Sequence, residues 1–400
     1  MRKASKFSKP PASSPTAKDI LAELVSYSCT SGADNSGLID FIGGYLEFYG
    51  IKPHILEGEI PPPGERNTSS RRYNLFATIG PEKDGGVLLS GHTDVVPAVP
   101  FEWDFDPFQL TEEGERFYGR GTTDMKGFLA CVLSLVPHWL SQKRSEPVHF
   151  ACTYDEESGC IGVKDLIPLL GTTLPRPEAV IVGEPTELAP VLGHKGSAAC
   201  KTTVKGREAH SSRPNRGVNA IYGAAEIIAE LKRIAERIHN RGEKNPRAAL
   251  FDPPCTTLSV GTIKGGSARN IVAGECELVW EIRTLPWESA ETYIEELEDF
   301  CRERFALSLD PPSVTTQVES SYPGLIPSGE NRAYTYYLRM AGSHSDSGIA
   351  APFGTEAGRY SEAGIPALVW GPGSIAQAHT KNEYIEKHQI EKCLRYLAQL

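Results

Sequence analysis

Short unbroken apolar runs, each bounded by turn residues, constrain this chain more than any other feature. They fall at residues 73–79, 87–90, 148–154, 179–182 and 367–370. A run that does not alternate is buried on both faces, the condition of strands in a parallel sheet covered by helices. Residues 127–140 form the clearest intervening helix, with Leu129, Val132, Leu133 and Val136 on its apolar side. Helices are also expected from near Thr16 and over 36–49, the second closed by Gly50. The alternation predicts an α/β fold with a mostly parallel sheet.

Between about residues 196 and 320 the pattern changes. Strand-like segments at 197–204, 257–263, 276–283 and 314–320 surround two amphipathic helices at 219–238 and 290–305. The order β-α-β-β-α-β is the split, ferredoxin-like arrangement. It predicts an inserted α+β domain at 196–320, inside a discontinuous domain made of 16–195 and 321–400. Residues 1–15 are basic and rich in Ser and Pro, which predicts a disordered tail rather than a secretory signal. Residues 241–254 read as a polar loop.

A net charge of −10 argues against nucleic acid and anionic membrane surfaces as partners. No stretch of eighteen apolar residues is present, so no membrane span is expected. The nine cysteines are scattered, without a Cys-x-x-Cys pair. That argues against a disulfide framework or a cysteine metal site, and for a reducing, cytoplasmic setting.

In an open α/β sheet, ligands bind beyond the carboxyl ends of the strands. His92, Glu157, Glu184 and His379 each follow a predicted strand, and Asp124 sits in a glycine-bearing loop that feeds a helix. Any one of these has a bland reading as a surface pair, a solvated turn or a helix cap. Together they offer imidazole and carboxylate donors in the combination that suits zinc, and a set this large suits two ions. Asp124 is the natural bridge between them. Asp94 is placed to take the second ring N–H of His92 and set its tautomer. Glu156, beside Glu157, is left over as a general base. His54, His138, His149, His239 and His388 read as surface or packing residues, and His194 and His344 stay open.

These motifs resemble the M20 family of metallo-aminoacylases and exopeptidases along nearly the whole chain. They are Leu-Ser-Gly-His92-Thr-Asp94-Val-Val-Pro, Gly-Arg-Gly-Thr-Thr-Asp124-Met-Lys-Gly, Asp155-Glu156-Glu157-Ser-Gly and Val-Gly-Glu184-Pro-Thr. The resemblance implies one zinc on His92, Asp124 and Glu184, and another on Asp124, Glu157 and His379, with cobalt able to substitute. It implies Glu156 as the base that activates a metal-held water. It also implies a homodimer formed through the inserted lid domain, with His210 of that domain donating to the tetrahedral oxyanion. Asn270 and Arg283 match substrate-contacting lid positions, Arg283 suiting a substrate carboxylate. Around His210, Glu356 and His379 the wording looks most like the branch acting on N2-acetyl-L-ornithine, in arginine biosynthesis. Thr355 and Glu356 are then candidate substrate contacts, Glu356 for the δ-ammonium.

The loop after Asp94 and the Asn382-Glu-Tyr segment depart from the commonest wording of that branch. Alternatives within the family are a succinyl-diaminopimelate desuccinylase, a general N-acyl amino-acid deacylase or a dipeptidase. Outside it stands a metal-bound amino-acid binding protein without catalysis, against which the retained Glu156 argues. A structural or scaffold role fits worst, because it leaves the ligand set unexplained.

Overall fold

The computed structural model describes residues 14–58, 71–242, 244–328, 331–342, 348–351 and 353–400. Most of the expected N-terminal tail, and His344, lie outside these. The chain divides into two compact units. One comprises Met1–Gly193, Ser328–Ile349 and Thr355–Leu400, and the other His194–Pro327 with Ala350–Gly354.

The first unit is built on an eight-stranded sheet. Its spatial order is His54–Glu57, Tyr73–Ile79, Val148–Thr153, Val87–His92, Ala179–Val182, Ala367–Val369, Val191–His194 and Ile349–Ala351. The four strands from Val148–Thr153 to Ala367–Val369 run parallel. The expected apolar runs supply all four, and every residue in them is buried. Antiparallel strands flank this parallel centre on both sides. The helix Gly127–Ser141 covers the sheet with Phe128, Leu129, Val132, Leu133, Val136 and Trp139, packed between the helices Ala17–Val25 and Lys387–Leu397. Trp139 also donates its indole N–H to the Leu397 carbonyl at 3.3 Å, tying the last helix down.

The second unit holds a four-stranded antiparallel sheet ordered Thr257–Gly265, Glu275–Thr284, Gly196–Lys205 and Ser313–Tyr322. The helices Ala220–Arg241 and Ala290–Ala306 pack on it. Ile227, Leu231 and Ile234 meet Leu278, Trp280, Ile282 and Leu297 in a core of its own. In the segment expected to be a polar loop, residues 241–254, the described residues include a short 3-10 turn, Pro246–Leu250. Among the described residues no helix is long and apolar enough to cross a membrane. All nine cysteines are buried and free.

Candidate metal centre

Parallel strands deliver their carboxyl ends to one edge of the sheet, and the site assembles there. His92 is the last residue of its strand and stands opposite Thr153, the last of the neighbouring one. Glu156 and Glu157 follow Thr153 within one turn, and Glu184 follows the strand Ala179–Val182. Asp124 arrives differently, in the segment Thr122–Lys126 that precedes the helix Gly127–Ser141. Gly121 opens that segment at φ +84°, a conformation open to glycine at no steric cost.

The two imidazoles face different oxygens of Asp124. His92 Nε2 lies 3.0 Å from Oδ1, and His379 Nε2 lies 3.1 Å from Oδ2. His92 Nε2 is also 3.7 Å from Glu184 Oε1, and His379 Nε2 is 3.0 Å from Glu157 Oε1. Donors around one tetrahedral zinc, with bonds near 2.0 Å, sit about 3.3 Å apart, so these separations suit shared ions. Among the described residues two triplets hold donor atoms within 4.8 Å of one another: His92, Asp124 and Glu157, and His92, Glu156 and Glu184. These triplets cut across the expected partition because His92 is central to both. In the closest contacts Asp124 stands between the two histidines.

The electrostatics of the donor set call for cations. Burial, then the Asp124 charge, pushes the carboxyl of Glu184 well above its ordinary range, and the same two causes raise Glu157. Glu156 is raised mainly by burial, with Glu157, Asp94 and Asp124 adding to it against the pull of His92. Burial favours neutral His92, yet Asp124, Glu184 and Asp94 outweigh it and raise its pKa well above the usual value. Hydrogen bonds to Asp124 and Glu157 raise His379 to about 10. So many carboxylates cannot stay ionised together in a buried site without positive charge beside them.

Asp94 takes a different part from the one expected. The His92 Nδ1–H donates to the Asp94 backbone carbonyl at 2.8 Å, while the carboxylate stands 3.6 Å away. That carboxylate instead accepts the Ser31 hydroxyl at 2.7 Å and the backbone N–H groups of Glu156 at 3.0 Å and Glu157 at 3.2 Å. It therefore holds the turn that carries the base and its neighbouring ligand. Arg72 and the Gly32 N–H brace the same turn through Asp155, each at 2.6 Å. The turn is strained, with φ of +50° at Asp155 and +55° at Cys160, and the separate loop that carries His379 is strained too, at +62°. Such residues cost about 1–3 kcal/mol each and persist only where their surroundings hold them. The Cys160 thiol donates to Glu156 Oε1 at 3.3 Å, a contact the sequence reading missed.

Glu356 also has partners within the protein. It is 1% exposed, and its carboxylate accepts the Ser90 hydroxyl at 2.5 Å and the Thr153 hydroxyl at 2.8 Å. Both oxygens are thus engaged by hydroxyls of the strands Val87–His92 and Val148–Thr153. Thr355 is buried beside it, its hydroxyl accepting the Ala357 N–H at 3.1 Å. In the second unit, His210 and Asn270 come together: His210 pairs with Ile271, and the Ser211 N–H donates to the Asn270 carbonyl at 2.9 Å. The Ser212 N–H donates to His210 Nδ1 at 3.1 Å, which places the ring proton on Nε2. Arg283 lies at the opposite end of the strand Glu275–Thr284, roughly 25 Å along it by strand rise, and pairs with Glu281. His194 is a buried structural residue whose Nδ1–H donates to the Lys195 carbonyl at 2.9 Å.

Fold and donor set together define a metal-dependent hydrolase. The chain belongs to peptidase family M20/M25/M40, whose model matches residues 88–400. It is 33% identical to an acetylornithine deacetylase of Aliivibrio fischeri (strain MJ11), over 96% of this chain and 98% of that one. An acetylornithine deacetylase of Pectobacterium carotovorum subsp. carotovorum (strain PC1) is 34% identical, over 92% and 90%. Among solved structures, an M20 family metallo-carboxypeptidase from Sulfolobus solfataricus superposes with TM-score 0.73 at 18% identity, covering 96% of this chain and 98% of that one. The Bacillus subtilis YXEP protein, described as a dinuclear metal binding peptidase, gives 0.59 at 16%, covering 96% of each. At such identities these two speak for the fold alone.

Proposed function

We propose that the chain hydrolyses the amide bond of an N-acyl amino acid, with N2-acetyl-L-ornithine converted to acetate and L-ornithine. The observation that carries this reading is Asp124, whose two oxygens face two different histidines, with Glu156 beside the set and outside these closest contacts. His92, Asp124 and Glu184 would hold one divalent cation, and Asp124, Glu157 and His379 a second. Zinc suits the donors, and cobalt would substitute. When bound, such a pair supplies Lewis acidity, acidifying water and polarising a carbonyl oxygen.

Glu156 takes the proton from the attacking water and returns it to the departing amine. Burial supports this role, because a carboxylate with a raised pKa is a better base near neutral pH. Asp94 fixes where Glu156 stands by accepting its backbone N–H. His210, with its proton on Nε2, is a suitable donor to a developing oxyanion. Asn270 beside it and Arg283 at the far strand end remain substrate contacts in this reading. The names of the two deacetylase relatives support the substrate, and a cytoplasmic homodimer built on the inserted unit is part of the same proposal. The desuccinylase, aminoacylase and dipeptidase readings share the same centre and differ in substrate.

A panel of acetyl-, formyl- and succinyl-amino acids tests the assignment, with Glu156→Ala as the control. Acetylornithine should be turned over fastest, and the variant should lose about 10²–10⁴-fold in kcat while retaining its metal. A loss smaller than a hundredfold would remove Glu156 from the role of base. A metal-loaded protein that binds these acyl amino acids without turnover would be a binding module.

A further inference from the structure

Asp124 and His379 must meet within about 3 Å although 254 residues separate them in sequence. Neither sits inside a regular element: Asp124 lies in a kinked segment, and His379 lies in a loop after a 3-10 turn. Something has to hold these two segments together. Glu383, four residues beyond His379, is 1% exposed and has its carboxylate inside the Asp124 loop. Its Oε2 accepts the Arg120 guanidinium at 2.7 Å and the Gly121 N–H at 3.0 Å. Its Oε1 accepts the Thr123 N–H at 2.9 Å and the Asp124 N–H at 3.1 Å. Three backbone N–H groups and one guanidinium thus converge on a single carboxylate, an anion nest filled by the protein itself.

The neighbouring contacts extend the same clamp. Asn382 accepts the Asp104 N–H at 2.9 Å and donates to the Asp104 carboxylate at 2.6 Å. Arg120 lies over the Trp103 ring, 5.1 Å from its centre. The two stretches whose wording departs from the commonest branch pattern, the loop after Asp94 and the Asn382-Glu-Tyr segment, are therefore bound to each other and to the Asp124 loop.

We propose that Glu383 is a positioning residue for the metal centre, setting the direction of the shared ligand Asp124 relative to His379. The inference rests on the proposed di-metal reading. In this reading Glu383 is not itself a ligand; it acts through the backbone of the loop. Its charge and its two acceptor oxygens are what the loop requires. An amide of the same shape cannot replace them, because its NH2 group meets N–H donors.

The test uses the full-length protein and zinc alone as the probe. Wild type, Glu383→Gln and Asp124→Asn are dialysed against a graded chelator. Retained zinc is counted by atomic spectroscopy, beside thermal melts and kcat and KM on acetylornithine. Glu383→Gln is expected to weaken zinc retention about 10–100-fold and to lower kcat with KM little changed. A packing role would be rescued by this isosteric variant, so wild-type zinc retention and kcat in Glu383→Gln would overturn the proposal. If that variant fails to fold, Glu383→Asp takes its place. It keeps the charge but withdraws it by one methylene, and wild-type zinc retention there overturns the proposal equally. A wild type that retains no zinc, or an Asp124→Asn that matches wild type, overturns the metal reading itself.

Discussion

At the scale of single residues, the centre depends on which atom of a side chain does the work. His92 takes its orientation from the Asp94 carbonyl, and the Asp94 carboxylate is spent on the turn that bears Glu156. Glu356 shows the same distinction. Its place in Gly-Thr-Glu-Ala-Gly suggested a partner for a substrate ammonium, but its oxygens receive the hydroxyls of Ser90 and Thr153. Glu356→Gln should therefore lower kcat/KM for acetylornithine and acetylmethionine by the same factor. It should also cost about 1–3 kcal/mol of stability, as expected when a buried hydrogen-bonded group is disturbed. The ratio of the two specificity constants checks this: a selective loss with acetylornithine would restore a substrate-facing role. The positions of His92, Asp124, Glu157, Glu184 and His379 were legible in the sequence because strand ends and glycine turns announce themselves locally. The partners of Asp94, Glu356 and Glu383 were not, because each lies on a segment distant in sequence.

At the scale of elements, the second unit ends in an edge strand. Thr257–Gly265 has one neighbour in its sheet, and its register shifts between Val260 and Thr262. Ile263 is half exposed on it, and Ile221 and Tyr222 of the helix Ala220–Arg241 are exposed as well. An unpaired edge with apolar side chains beside it is a ready template for pairing. If the homodimer of the proposed function forms here, Ile263→Lys should convert dimer to monomer in sedimentation velocity while leaving the melt of the protein nearly unchanged. A wild type that sediments as a monomer at micromolar concentration would remove the dimer from the reading. The helices and strands of this unit were legible from their 3.6- and 2-residue periods. The edge position of one strand was not, since periodicity says nothing about strand order.

At the scale of the whole molecule, two buried neutral histidines make stability depend on pH. Burial lowers His149 to about 4, its ring held between the Thr78 hydroxyl and the Gly85 carbonyl at 3.0 Å each and stacked on Phe76. Burial lowers His194 to about 4 as well. Both pKa values lie below the ordinary 6.5, so between pH 6.5 and 4 the unfolded chain binds more protons than the folded one. Their contribution is complete above pH 6.5 and is lost as pH falls towards 4, up to about 3 kcal/mol for each. Chemical denaturation at pH 7.5 and pH 5 should show the fall, and a His149→Asn variant should show a smaller one. An unchanged difference in that variant would mean that His149 carries none of it.

The parallel centre of the large sheet, the split pattern of the second unit and the residues at the strand ends were determined by the sequence alone. Each is written in periodicity and turn chemistry within a dozen residues. The tertiary structure alone decided which flanks run antiparallel, among them the short strands His54–Glu57 and Val191–His194. It alone decided that the two Asp124 oxygens face separate histidines, and that Glu383 closes the loop between them. These are contacts across hundreds of residues, settled by how whole elements pack and where buried charges find their partners.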